Sequence, residues 1–222
     1  MKSAVLWTGG KDCALAHYLA QQDGYEINSL VTFTPASRDF KAHSLKVMEL
    51  QAAAMGLPLV LVEISEPYDE AYKAGIRSLR DDRSIDTLIT GDIAEVDGYP
   101  NWIRQCAEGS GVEVLTPLWG ACRKDLTDQL LRHGFKVILF CVKEPWLTED
   151  WLGRELTEHS IVELQEIGSQ NGLDLCGENG EFHSLVLDSP LFNRSVILSE
   201  MTHHKLGEMM WLQAGIVSLA GK

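Results

Sequence analysis

The stretch Ala4 to Ala16, A-V-L-W-T-G-G-K-D-C-A-L-A, decides the fold. Ala4 to Trp7 is a short apolar run of the kind that forms a buried strand, and Gly9-Gly10 interrupts it. From Asp12 onward apolar residues recur at helical spacing, at Cys13, Leu15, Ala16 and Leu19. The order is strand, glycine turn, helix. Two adjacent glycines admit backbone conformations closed to other residues and let main-chain amides approach an anion. The helix start adds unpaired N–H groups and the positive end of its dipole. Thr8 supplies a hydroxyl and Lys11 a mobile positive charge, which suits a polyphosphate better than a neutral ligand, and Asp12 is a separate candidate because it lies inside the loop. The spacing is neither that of the Walker lysine loop nor G-x-G-x-x-G, and an ordinary strand-to-helix turn stands as the alternative.

The whole chain narrows the class. With 222 residues and 45% hydrophobic content it is long enough for a substantial core, as one large domain or one domain with a smaller appendage. A net charge of −13 repels phosphate backbones and anionic lipid, which argues against general nucleic-acid binding and a membrane-surface role. The five cysteines, at 13, 106, 122, 141 and 176, are widely spaced without a C-x-x-C pair, unlike a disulfide framework or a zinc site. They read as reduced thiols. The chain enters its first strand without a signal-peptide pattern, and no apolar run reaches membrane-spanning length, so the cytoplasm is the expected compartment.

Beyond the first helix, strands and helices alternate. Ser29 to Thr34 reads as a strand ended by Pro35, and the polar stretch Pro35 to His43 leads into a helix over Leu45 to Met55. Leu59 to Ile64 is a strand, Tyr68 to Arg80 a helix and Asp86 to Thr90 a strand. Gly111 to Leu115 and Lys136 to Val142 are further strands, flanking a helix over Lys124 to His133. Alternation of this kind predicts an α/β fold, a parallel sheet with helices on both faces, in which ligands bind at the carboxyl ends of strands. The glycine turn and Gly91-Asp92 both follow strands, so they are expected at one mouth. Past Glu144 the alternation weakens, apart from a helix over Ile161 to Ser169. This places a boundary near Val142, with a nucleotide-binding domain over 1–142 and a smaller α+β substrate domain over 143–222.

Three further places carry candidate chemistry. Asp92 reads either as a ligand to a hard cation accompanying a polyphosphate, or a group positioning the substrate, or as a helix N-cap. Glu95 and Arg104 are weaker candidates, and Trp119, at a strand end in P-L-W-G, reads as packing ahead of a pocket wall. In G-E-N-G-E-F-H-S, Gly177 to Ser184, a glycine turn brings Glu178 and Glu181 near each other, where paired carboxylates could hold an ammonium ion or act as acid and base. Asn179 lies between them and His183 adds a group that titrates near neutral pH. A solvated hairpin turn at Asn179-Gly180 is the alternative. His203-His204 lacks partners at metal-ligand spacing and reads as surface.

T-G-G-K-D-C resembles the S-G-G-x-D-S loop of the N-type ATP pyrophosphatases, which have the adenine nucleotide alpha hydrolase-like fold, with Thr8 and Cys13 in place of the serines. G-D-I-A-E at Gly91 to Glu95, P-L-W-G at Pro117 to Gly120, W-L-G-R at Trp151 to Arg154 and the Gly177 to Ser184 motif resemble, in order, the signatures of the diphthine–ammonia ligase family. Where that family carries G-E-G-G-E-Y-E-T, this chain is similar to a branch with G-E-N-G-E-F-H-T that is associated with corrinoid salvage. The resemblance implies ATP held by Thr8, Gly9, Gly10, Lys11, Asp12, Cys13, Gly91 and Asp92, with Lys11 and Asp12 catalytic and Mg²⁺ on Asp12 and Asp92. It implies substrate contacts from Glu95, Glu178, Asn179, Glu181 and His183. The implied reaction is adenylation of a carboxylate with release of pyrophosphate, then amide formation with ammonia. The acceptor is protein-bound diphthine or, alternatively, a corrinoid-related or other small carboxylic acid. A homodimer is a further expectation. A non-catalytic ATP-binding module and a tRNA-thiolating enzyme are the readings from other classes.

Overall fold

The computed structural model describes residues 1–37, 44–95 and 101–222, so the later part of the polar stretch before the second helix lies outside the described residues. The chain forms two compact units.

The first unit comprises Met1–Thr8, the chain from Asp12 through the second strand, and Gly56–Gly120. Its strands are β1 (Lys2–Leu6), β2 (Ile27–Pro35), β3 (Leu59–Ile64), β4 (Ile85–Ile89) and β5 (Glu113–Leu115), ordered β3-β2-β1-β4-β5 and all parallel. Its helices are α1 (Lys11–Gln22, from Asp12 on), α3 (Tyr68–Arg83) and the short α4 (Trp102–Ala107). β1 sits at the centre of the sheet because Ala4 and Val5 can be buried completely on opposite faces. Ala4, Val31 and Leu88 pack on one face with Ile76 and Leu79 of α3 and with Ile103 and Cys106 of α4. At about 25 cal/mol per Å² of apolar surface, each of the valine, leucine and isoleucine side chains contributes roughly 1.5–3 kcal/mol by leaving water. The central position of β1 brings its carboxyl end to the edge where β4 also ends. The parallel α/β architecture is as expected.

The second unit holds Gly9–Lys11, α2 (Leu45–Met55) and Ala121–Lys222. Its sheet is built from β6 (Lys136–Lys143), β7 (Phe182–Asp188), β8 (Arg194–Leu206) and β9 (Met209–Gly221), ordered β7-β6-β9-β8 with antiparallel pairing throughout. Helices α5 (Arg123–Arg132) and α6 (Glu158–Asn171) complete it. α6 opens with a reciprocal cap in which Thr157 and Ser160 each hold the other's backbone N–H, satisfying two amides that the helix itself leaves unpaired. β6 belongs with this antiparallel sheet, so the division falls at Gly120 and not near Val142. The long β8–β9 ribbon is an element the sequence reading lacks. Among the described residues no helix is long and apolar enough to cross a membrane.

Candidate functional site

Gly9–Lys11 groups with the second unit, and Thr8 and Asp12 with the first. Within the second unit the glycine turn is tied directly to β7. The Gly9 carbonyl accepts hydrogen bonds from the Val186 amide at 3.0 Å and from Gln51 Nε2 at 3.1 Å. The same Gln51 nitrogen also donates to the Val186 carbonyl, at 2.8 Å. Gly9 adopts φ +83°, and a Cβ there would lie 2.8 Å from Gln51 Oε1, so both conformation and space require glycine. Gln51, fully buried on α2, is a residue the sequence reading missed. No local signal marks it, since α2 also carries Lys46 and Glu49 and Gln51 differs from them only in lying on the buried side with Val47, Met48, Ala52 and Ala54.

Lys11 is fixed where the sequence predicts mobility. It is 1% exposed. Its backbone N–H donates to Ser184 Oγ at 3.0 Å, its ammonium donates to the Cys176 carbonyl at 2.5 Å, and the Phe182 ring centroid lies 5.4 Å from Nζ. A buried ammonium needs such acceptors, since its desolvation is otherwise uncompensated.

The G-E-N-G-E-F-H-S segment is a series of turns leading into β7, with Gly177 N–H donating to the Asp174 carbonyl and Gly180 N–H to the Gly177 carbonyl. Glu181 is fully buried at its centre. Its carboxylate accepts from the Asp174 amide at 2.8 Å, the Asn179 amide at 2.9 Å and Asn179 Nδ2 at 3.1 Å. A carboxylate with several lone pairs can close three loop donors at once, which a neutral side chain cannot do. Glu181 thus faces into the loop, whereas Glu178 is half-buried with its charge acting on Arg123, itself paired to Asp174 at 3.0 Å. His183 follows on β7. Burial, and secondarily the Lys11 charge, hold its imidazole below the ordinary histidine pKa, so the ring is neutral near pH 7.

The first unit carries the other candidates. A Cβ on Gly91 would stand 2.6 Å from both the Asp12 carbonyl carbon and the Cys13 nitrogen, so the chain leaving β4 lies against the start of α1. That contact sets the backbone of Gly91 beside that of Asp12 and Cys13 within the first unit. Asp92 Oδ2 accepts from Thr90 Oγ1 at 2.8 Å and from Asn101 Nδ2 at 2.6 Å, while Asn101 caps α4 by accepting from the Arg104 amide. The capping role read for Asp92 therefore belongs to Asn101, which holds Asp92 in turn. Thr8 Oγ1 and Cys13 Sγ approach to 3.8 Å. Glu95 is exposed, and Arg104 donates to Thr116 Oγ1 at 3.1 Å. In P-L-W-G the buried residue is Leu118, and Trp119 is 40% exposed, so the packing read for Trp119 falls to its neighbour. The turn closes with the Gly120 amide donating to the Ile93 carbonyl at 2.8 Å. Among the described residues no group of three or more His, Cys, Asp or Glu is placed to hold a metal ion.

Comparison with known proteins bears on both units. The sequence model of the diphthamide synthase N-terminal domain matches residues 1–114, and that of the diphthamide synthase C-terminal domain matches residues 123–218. The chain belongs to the diphthamide synthase family. Diphthine–ammonia ligases of Mus musculus and Danio rerio are 24% and 26% identical to it, covering 92% and 89% of this chain and 86% of each relative. That of Schizosaccharomyces pombe is 25% identical over 96% of the chain, which spans 39% of that relative's length. A predicted subunit of tRNA methyltransferase from Methanocaldococcus jannaschii shares the fold, with a TM-score of 0.50 and 18% identity over 86% of this chain and 98% of that one. Within this member of the diphthamide synthase family, W-L-G-R is a clasp: Arg154 stacks 3.8 Å from the Trp151 ring and grips Glu163 with two N–H groups. The sequence reading attached a family signature there, and the geometry makes it structural.

Proposed function

We propose that the chain is an ATP-dependent, AMP-forming amide ligase of the ATP pyrophosphatase type, acting on a diphthine carboxylate with ammonia. Membership of the diphthamide synthase family supports the reaction class. The observation that carries the reading is the close backbone approach of Gly91 to Asp12 and Cys13, which sets the chain leaving β4 against the start of α1. Thr8, Gly9, Gly10 and Cys13 would bind the ATP phosphates, and Lys11 would add charge to the turn. Asp12 and Asp92 offer hard oxygen donors, and two carboxylates with substrate phosphates are a sufficient set for Mg²⁺. When bound, Mg²⁺ would neutralise charge on the phosphates.

A carboxylate oxygen of the acceptor attacks the α-phosphorus of ATP, the bond to the bridging oxygen breaks, and pyrophosphate leaves. Ammonia then attacks the acyl carbon, AMP departs with the anhydride oxygen, and one proton is lost as the amide forms. Glu178, Asn179, His183 and Glu95 are the proposed acceptor-side contacts, with Glu181 shaping the loop that carries the first two of them. The neutral imidazole of His183 is suited to accepting the proton that ammonia releases. The test is pyrophosphate release from ATP, Mg²⁺ and ammonium with diphthine-bearing elongation factor, and with Asp12→Ala as control. Release stimulated by the acceptor and lost in the variant supports the reading; ATP binding without release under any acceptor overturns it. The cytoplasm is the proposed compartment, and sedimentation velocity checks the expected homodimer.

A further inference from the structure

We propose that Gln51 is the positioning residue that sets the phosphate-binding conformation of the glycine turn. This rests on the reading of that turn as the ATP site. Gln51 lies in the middle of α2, fully buried, and one nitrogen bridges two carbonyls, Gly9 at 3.1 Å and Val186 at 2.8 Å. The Val186 amide closes the triangle by donating to Gly9 O at 3.0 Å. Gly9 and Gly10 are joined by a trans peptide, in which the carbonyl and the following N–H point in opposite directions. Holding the Gly9 carbonyl against Gln51 and Val186 therefore aims the Gly10 N–H away from both. Turned about, the same peptide would present a carbonyl oxygen where an anion needs a donor, and that oxygen would repel it.

The Val186 amide also holds the Gly9 carbonyl, and Gln51 adds the side-chain donor that ties it to the Val186 carbonyl as well. Met is similar in length and supplies no donor. Glu is nearly isosteric but when ionised it sets an acceptor-only group against two carbonyl oxygens. The second tie, from the Lys11 amide to Ser184 Oγ, anchors the far side of the turn and does not fix the Gly9–Gly10 peptide plane.

The experiment compares wild type, Gln51→Met and Gln51→Glu by calorimetric titration with ATP and Mg²⁺ and by amide hydrogen exchange. Weakening of ATP binding by roughly tenfold or more in both variants is expected, because one oriented donor to an anion is lost and an acceptor can take its place. Exchange at the Val186 amide accelerates by a similar factor, while the amides along β8 and β9 keep their protection. Wild-type ATP affinity in a folded Gln51→Met protein overturns the proposal, as does an unchanged Val186 amide. If Gln51→Met does not fold, Gln51→Glu decides by the same two readouts. If the wild type itself binds no ATP, the reading of the turn as an ATP site falls, and so does the phosphate role given to Gln51. Hydrogen exchange then reports separately whether Gln51 holds the turn.

Discussion

The Lys11 ammonium donates to the Cys176 carbonyl at 2.5 Å, and this joins the glycine turn to the loop that bears Glu178, Asn179 and Glu181. A hydrogen bond from a buried charged group contributes about 1.5–3 kcal/mol, more than the neutral contacts around it. Lys11→Met is expected to lower the melting temperature and to reduce pyrophosphate release by roughly a hundredfold, since the turn loses both its charge and its tether. Lys11→Arg should not restore activity, because a planar guanidinium cannot take the place of a compact ammonium beneath the Phe182 ring. Stopped-flow measurement of pyrophosphate release with the two variants checks this.

His183 gives an independent reading of the same charge. Its pKa is lowered first by burial and second by Lys11, so removing Lys11 should raise it only in part. Titration of the assigned His183 ring signal by NMR is expected to show a wild-type value below the ordinary 6.5 and a higher one in Lys11→Met that still falls short of it. A return to the ordinary value would mean that burial contributes little.

Glu181 is a structural carboxylate, and its substitution should be felt differently from that of Glu178. Glu181→Gln exchanges one acceptor oxygen for a donor while the Asp174 and Asn179 amides still need acceptors. Leaving one such group unsatisfied costs about 1–3 kcal/mol. The expected outcome is a lower urea midpoint and a raised KM for the acceptor. Glu178→Gln should leave the urea midpoint unchanged and alter turnover alone. Equal destabilisation by the two substitutions would refute the distinction.

The alternating strands and helices were legible because a parallel sheet buried on both faces demands apolar runs such as Ala4 to Trp7 and Leu59 to Ile64. The boundary was not, because β6 is equally apolar as the central strand of an antiparallel sheet, and hydrophobicity does not reveal which neighbour a strand will pair with. β8 and β9 escaped notice for the opposite reason. Segments such as Ser199 to His204 are half exposed and polar, and their extended form comes from cross-strand pairing along the ribbon. The glycine turn, Asp12 and Gly91-Asp92 are candidates that residue type and spacing alone put forward. The roles of Gln51 and Glu181 depend on burial, and a polar residue carries no local mark of being inside.

Gly91 offers a direct test of the proposed shared mouth. Any Cβ there meets backbone atoms of Asp12 and Cys13 at 2.6 Å, and backbone cannot swing aside as a flexible side chain would. Gly91→Ala is expected to destabilise by about 1–3 kcal/mol through overpacking and to abolish measurable ATP binding. Calorimetry of the folded variant distinguishes displacement of the loop from simple loss of stability.

His17 makes stability depend on pH without touching the chemistry. It is 1% exposed on α1, four residues from Cys13 on the same apolar face, edge-on to Trp7 at 6.3 Å between ring centroids. Neither ring nitrogen has a hydrogen-bond partner among the described residues, and burial lowers its pKa from 6.5 to about 4. A histidine with a depressed folded pKa is neutral in the native state and protonates first in the unfolded one. Its contribution to stability is therefore complete above pH 6.5, declines as pH falls, and is fully lost below pH 4, about 3 kcal/mol in all. Replacing it by Leu removes the titration and the two unsatisfied nitrogens together. His17→Leu should match or exceed wild-type stability at pH 7 and exceed it by a widening margin towards pH 4. Urea denaturation from pH 7.5 to pH 4.5 measures that margin, and parallel curves for the two proteins would show that His17 is protonated in the folded state.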